Sequence, residues 1–173
     1  MADVNKSNLN TNTGILPKNA FIVIVKTEWN AGIVDELERG SISKLKESGV
    51  KKIITVTVPG AVEIPFTIKS YWEHSKGKKK NLPAGRHGRP DAFIALGCVI
   101  RGGTPHFDYV CKAVTEGVLQ LNLTLAVPTI FGVLTVDNED QAKERSGGIH
   151  GHKGEEAAMT AVKMILLTQS FKK

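Results

Sequence analysis

Gly97-Cys98-Val99-Ile100-Arg101-Gly102-Gly103-Thr104-Pro105-His106-Phe107-Asp108-Tyr109-Val110 joins an apolar run to a stretch of helical character. The run before it, Ala92-Phe93-Ile94-Ala95-Leu96-Gly97-Cys98-Val99, has no charge and no polar alternation, which is the pattern of a strand covered on both faces. A helix is expected from about Phe107 to Leu121. Strand, glycine-rich turn and helix in that order form the unit of a parallel α/β sheet. The turn also has the chemistry to hold an anion. Arg101 is permanently charged, Gly102 and Gly103 let backbone N–H groups approach a ligand, and Thr104 adds a hydroxyl just before a helix N-terminus. His106 then stands where it can move protons.

The same unit repeats on either side. Upstream, Ala20-Phe21-Ile22-Val23-Ile24-Val25 reads as a doubly covered strand. Trp29-Asn30 follows, and Ile33, Val34, Leu37, Ile42 and Leu45 give a helical apolar face that Gly49 stops, with Gly40 as a weak point. A second strand, Ile53 to Val58, breaks at Pro59-Gly60 and leads into a helix over about Val62 to His74, with Pro65 tolerated near its start. Downstream, a fourth strand is expected from Val127 to Leu134. Asp137 is expected to cap the next helix, with Glu139 and Asp140 in its first turn and Ser146-Gly147-Gly148 at its end. A last helix runs from about Gly154 to Ser170. Four apolar strands alternating with helices specify a three-layer αβα sandwich, flavodoxin-like, with a four-stranded parallel sheet in a single domain. In such sheets the ligand crevice lies beyond the carboxyl ends of the strands. Trp29, the Pro59-Gly60-Ala61-Val62-Glu63 segment, the Arg101 to His106 turn and Phe131 all fall there.

A chain of 173 residues, 41% hydrophobic, is the size of one domain with a proper core. Residues 1–19 are polar and aperiodic and read as a flexible arm. With no 18-residue apolar run and no basic-plus-apolar leader, the protein is expected to be soluble and cytoplasmic. Cys98 and Cys111 lack metal-ligand spacing and read as small apolar residues, and His150 and His152 flank Gly151 without a third ligand, so that segment reads as a mobile connector. No metal is expected. The net charge of +6 is concentrated in one place: Lys76, Lys78, Lys79, Lys80, Arg86 and Arg89 are uninterrupted by any acidic residue. That Gly/Pro-containing stretch, residues 76–90, has no interleaved aromatics. It reads as a basic surface insertion, not a nucleic-acid surface.

Taken together, Trp29-Asn30, Val58-Pro59-Gly60-Ala61-Val62-Glu63-Ile64-Pro65, Gly97 to Val110, Pro128-Thr129-Ile130-Phe131-Gly132-Val133-Leu134-Thr135, Glu144-Arg145 and Lys153-Gly154 resemble the 6,7-dimethyl-8-ribityllumazine synthases of riboflavin biosynthesis. The resemblance covers essentially all of residues 20–171. It implies condensation of 5-amino-6-(D-ribitylamino)uracil with 3,4-dihydroxy-2-butanone 4-phosphate, releasing phosphate and water, with no cofactor. It implies further that Trp29 stacks on the pyrimidine ring, that Ala61, Val62 and Glu63 hold the ribityl chain, and that Cys98, Val99 and Ile100 line the heterocycle. Phe131 would reach the site from a neighbouring subunit, and Gly103, Thr104, Arg145 and Lys153 would bind the phosphate. His106 would carry proton transfer. The family's minimal unit is a homopentamer with sites between subunits, and its product passes to riboflavin synthase. The sequence departs from the family pattern at Gly103, where Glu or Ala is frequent, at Pro105, and in the length of 76–90.

The residues alone leave simpler roles open. Trp29 can seal a core edge, Phe131 can be plain core, Glu63 can be a first-turn residue favoured by the helix dipole, and Arg145 a cation at a helix C-terminus. Lys153 can be a solvated amine, and His106 can bond to Asp108. A non-catalytic protein that holds a flavin or lumazine on Trp29 is the rival of another class; it needs no phosphate site.

Overall fold

The computed structural model describes residue 16 and residues 20–75 and 88–171. The first strand, β1 (Phe21–Thr27), explains the apolar run directly. Successive side chains alternate across the sheet: Ile22 and Ile24 enter one apolar cluster, Phe21, Val23 and Val25 the other. Because both faces are covered, no position between Phe21 and Val25 tolerates a polar residue, and the alternation of a half-exposed strand is lost. The same holds for β3 (Ala92–Ile100), where Ile94, Leu96 and Cys98 face one way and Phe93 and Ala95 the other. With β2 (Lys52–Val58) and β4 (Thr129–Val136) they form one parallel sheet in the order β2-β1-β3-β4. Register is set by pairs such as Thr27 with Val58, Lys26 with Leu96 and Leu96 with Gly132. The three-layer αβα reading therefore holds, and the strand order adds what the sequence pattern did not show: β2 and β4 are the edges.

Among the described residues, five helices cover the sheet. On one face α1 (Ala31–Glu47) and α5 (Lys153–Ser170) pack through Val34, Leu37 and Leu45 against Ala158, Ala161 and Val162, joined by Ala142 of the short α4 (Glu139–Glu144). On the other, α2 (Glu63–His74) and α3 (His106–Thr124) bring Ile64, Ile68, Val114 and Val118 onto Val23 and Phe93. Each fully buried Ile, Leu or Phe here stabilises the fold by about 1.5–3 kcal/mol relative to its exposed state. Within each helical layer the two long helices approach closely at a glycine. A methyl group on Gly117 would strike the Pro65 ring across α2 and α3, and one on Gly154 would fall on the Leu37 carbonyl across α1 and α5. Ser41 uses that approach to donate a 2.6 Å hydrogen bond from Oγ to the Gly154 carbonyl.

The element ends follow local chemistry, with several departures from expectation. Gly49 ends α1 at φ 85°, the left-handed conformation that favours glycine. The cap of α4 is Asn138, not Asp137: its side chain accepts from the Gln141 N–H at 2.9 Å, while Asp137 is engaged by Arg101. The fourth strand starts and ends two residues later than expected. The glycine-rich segment read as a mobile connector is a hairpin, β5 (Ser146–Gly148) and β6 (Gly151–His152), paired antiparallel. Gly147 and Gly151 give it the positive φ values of 116° and 83° that its turn needs. Within the stretch read as an arm, Leu16 is buried in the α1/α5 face and donates its N–H to the Ser48 carbonyl. The rest of the arm lies outside the described residues, as do residues 76–87 of the basic insertion. At the end of that insertion Arg89 is not merely solvated. Its guanidinium lies 4.5 Å over the Trp72 ring and bonds the Ser75 carbonyl.

Candidate active site

The sheet order places a crevice between β1 and β3, because the chain leaves β1 toward one edge and returns to β3 on the other side. Strand carboxyl ends at such a switch point hold ligands in open α/β sheets. Here a cleft of about 610 Å³ opens at that position, within the usual range for a small-molecule site. The end of β1 contributes Thr27, Trp29 and Asn30. The β2–α2 turn contributes Pro59 to Glu63, the end of β3 Cys98 to Ile100, and the following turn Gly102, Thr104 and His106. Three strand ends read separately in the sequence thus meet in one cavity.

The β1–α1 turn turns an aromatic outward. Trp29 is 74% exposed, which excludes the core-sealing role. Asn30 explains its presentation, a role that the sequence pattern did not reveal. It is the one non-glycine described residue with positive φ, at 58° with ψ 41°, a conformation that Asn tolerates better than most residues. From there its Nδ2 donates at 2.8 Å to the Cys98 carbonyl, tying the turn to β3 across the crevice. Opposite, Ala61 is buried, whereas Val62 and Glu63 are exposed at the start of α2. The Glu63 carboxylate folds back over Gly60.

Arg101 does not serve as a free anion ligand in the chain. Its Nε donates to Asp137 at 3.1 Å, its terminal nitrogens to Asp108 at 3.2 and 3.5 Å, and its guanidinium covers Phe107 at 4.1 Å. With its own N–H bonded to the Val136 carbonyl, Arg101 ties the turn to β4 and to the first turn of α3. The Asp108 carboxylate is thereby engaged, and among the described residues no hydrogen bond restrains the exposed His106 imidazole. The alternative role left open for His106, a bond to Asp108, is not formed among the described residues. Arg101→Ala frees the turn that places Thr104 and His106. Steady-state assays should show kcat/KM reduced about tenfold, with the fold unchanged by circular dichroism.

Cys98 is 4% exposed at the cavity floor, and burial pushes its thiol up from 9.0 to about 11. A raised thiol pKa favours the protonated form, so Cys98 is an apolar wall and not a nucleophile at neutral pH. Iodoacetamide at pH 8 should leave Cys98 unmodified in the folded protein, with labelling appearing as the pH approaches 11, as peptide mass spectrometry would read. The sign for stability is the same: the contribution is intact below 9.0 and is lost as pH rises toward about 11.

Four expected site residues do not line this cavity. Gly103 is exposed between Gly102 and Thr104, which do line it. Phe131 is on edge strand β4, 38% exposed, in a separate cleft of about 330 Å³ with Cys111, Lys112 and Thr115. It is therefore not core. Arg145 caps the end of α4 and Lys153 begins α5; the Lys153 N–H bonds the Arg145 carbonyl at 2.8 Å, so the two cations are neighbours across the base of the hairpin. Lys153 Nζ bonds Glu156 at 2.9 Å and is not a simply solvated amine.

Among the described residues, no three His, Cys, Asp or Glu side chains converge as a metal site. His150 and His152 each face a carboxylate, Glu144 at 3.4 Å and Glu36 at 3.5 Å. No described helix is long and apolar enough to cross a membrane.

Comparison with known proteins gives the family. The sequence profile of the 6,7-dimethyl-8-ribityllumazine synthase family matches residues 19–169. Proteins of that name are similar over most of their length. The one from Parabacteroides distasonis is 46% identical over 146 residues, 83% of this chain and 83% of the relative. That from Bacteroides fragilis is 44% identical over 152 residues, 87% and 97% of the two chains. That from Bdellovibrio bacteriovorus is 47% identical over 146 residues, 84% and 74%. A match spanning all of β1 to α4 and nearly all of α5, with the crevice at the switch point, places this chain in the 6,7-dimethyl-8-ribityllumazine synthase family.

Proposed function

We propose that the chain is a transferase that condenses 5-amino-6-(D-ribitylamino)uracil with 3,4-dihydroxy-2-butanone 4-phosphate to give 6,7-dimethyl-8-ribityllumazine, phosphate and water in riboflavin biosynthesis. The observation that carries the reading is the meeting of Trp29, the Ala61-Val62-Glu63 segment, Cys98 to Ile100, Thr104 and His106 in one cleft. Trp29 offers a flat, exposed face for the pyrimidine, and Cys98, Val99 and Ile100 give an apolar edge. Glu63 accepts from hydroxyls of the ribityl chain, with Ala61 and Val62 meeting it mainly through backbone. Thr104 supplies a hydroxyl to the phosphate, and Gly103, outside the cleft lining but exposed beside Thr104 in the same turn, an N–H.

The chemistry then follows from proximity and proton movement. The primary amine of the pyrimidine attacks the ketone carbon, and loss of water gives an imine. Removal of a proton from the adjacent carbon drives expulsion of phosphate with its bonding electron pair. The resulting enol returns to a carbonyl, and the ribitylamino nitrogen attacks it, closing the ring with loss of a second water. Each stage transfers a proton, and the reading assigns that role to His106, supported by its position in the cleft lining. No metal or organic cofactor is required.

Phe131, Arg145 and Lys153 lie outside this chain's own cleft, and the reading gives them to the cleft of an adjacent copy. Phe131 would close the pyrimidine pocket mainly by its backbone, Arg145 would present a fork of donors to the phosphate, and Lys153 a point charge beside it. The active assembly is then a homo-oligomer, a pentamer at least, acting in the cytoplasm and passing its product to riboflavin synthase.

Mixing the purified protein with both substrates, free of added metal or cofactor, tests the reading. Lumazine fluorescence and phosphate release are expected to rise together. Tight binding of a flavin or lumazine without turnover would move the chain to a carrier role instead.

A further inference from the structure

His152 is a half-buried residue that the proposed reaction leaves unused. Its side chain is 12% exposed, yet among the described residues neither ring nitrogen has a hydrogen-bond partner. Glu36 Oε1 approaches Nε2 to 3.5 Å, within ion-pair reach but outside hydrogen-bond geometry, and is itself paired with Arg39. A polar ring in such a place calls for an explanation, because an apolar side chain of similar size would fill the volume without stranded nitrogens.

The explanation lies in what the ring rests on. It is seated on Gly40, midway along α1, so closely that a methyl group at position 40 would overlap it. The backbone of His152 pairs with Ser146 across the β5–β6 hairpin. The next residue is Lys153, whose N–H is bonded to the Arg145 carbonyl. The ring is therefore a spacer between α1 and the hairpin base that carries both cations. The Ser41 bond to the Gly154 carbonyl fixes the adjoining start of α5 on the same helix.

From this we infer that His152 is a positioning residue for phosphate recognition: seated on Gly40, it sets how deeply the hairpin rests on α1, and so where Arg145 and Lys153 are presented. The proposal rests on the reading that these two cations bind the phosphate of the butanone substrate. Residues that hold the pyrimidine sit on other elements, the β1–α1 turn, the start of α2 and the end of β3, so the two substrates separate the effects.

The test is steady-state kinetics of His152→Ala, Gly40→Ala and the double variant, varying each substrate in turn, with Arg145→Ala alongside. Removing the ring, or lifting it with a methyl group, should raise KM for the butanone phosphate about tenfold. The pyrimidine KM and kcat should stay within about twofold. In the double variant the methyl group enters the vacated space, so Gly40→Ala should add no further loss, a non-additivity that a general loosening would not produce. His152→Asn, a smaller planar polar group, reads the same parameter if His152→Ala fails to fold. A fall in kcat with both KM values unmoved, or proportionate changes in both KM values, overturns the proposal. So does an unmoved phosphate KM in His152→Ala when Arg145→Ala shifts it. If Arg145→Ala itself has no effect on that KM, the phosphate reading fails first and the positioning role falls with it.

Discussion

His106→Ala is expected to lower kcat by about 10²–10⁴-fold, the usual worth of general acid–base help, without abolishing turnover. Residual activity is expected because Trp29, Thr104 and the apolar edge of β3 still hold two mutually reactive substrates together, and proximity alone removes a large part of the barrier of a bimolecular reaction. The ring is exposed at the first turn of α3, and no described hydrogen bond restrains it, so its removal should not disturb folding. Pyrimidine affinity, followed by Trp29 fluorescence quenching, should therefore remain within about twofold of the parent. Unaltered kcat in His106→Ala would move proton transfer to another group. Complete loss with intact binding would show that positioning contributes less than argued.

Arg145→Ala carries the second large effect, and it should fall on the other substrate. A guanidinium gives a phosphate two parallel charge-assisted hydrogen bonds, and losing them is expected to lower kcat/KM for the butanone phosphate about 10²-fold, about 2.7 kcal/mol. Inhibition by inorganic phosphate should weaken in parallel. Arg145→Lys restores the charge but not the fork, so recovery should be partial. Equal weakening of both substrates would place Arg145 in a structural role at the end of α4 and not at the phosphate.

The layered fold was legible in the sequence because burial on both faces leaves a strong mark: Phe21 to Val25 and Ala92 to Val99 have no polar alternation to mistake for an edge. The crevice was legible for a related reason, since the features at three strand ends point to it once the strands are parallel. What escaped depends on pairs distant in the chain. Arg101 reads as an anion ligand until Asp137, 36 residues away, is seen to engage it. Gly40 looks like a flaw in a helix, and only the His152 ring against it makes it a fit. Asn30 carries no local sign that its amide will reach Cys98. The β5–β6 hairpin, with glycine at three of its five strand positions, has little intrinsic strand propensity, and its ends are held by backbone bonds from His150 to Glu144 and from Lys153 to Arg145. Phe131 is 38% exposed on β4, and the neighbouring copy that the proposed function sets against it is a matter on which local periodicity is silent.

The most direct test of a site shared between copies is subunit complementation. On the proposed reading, His106→Ala spoils one side of a shared site and Arg145→Ala the other, so that each homogeneous variant has no intact site. Unfolding the two variants together and refolding them as a mixture should restore lumazine formation well above the sum of the separate preparations, since about a quarter of the sites at equal proportions draw both good halves from different copies. Activity no greater than the mean of the separately refolded variants, in mixed assemblies confirmed by native mass spectrometry, would contradict the account and place the whole site within one chain.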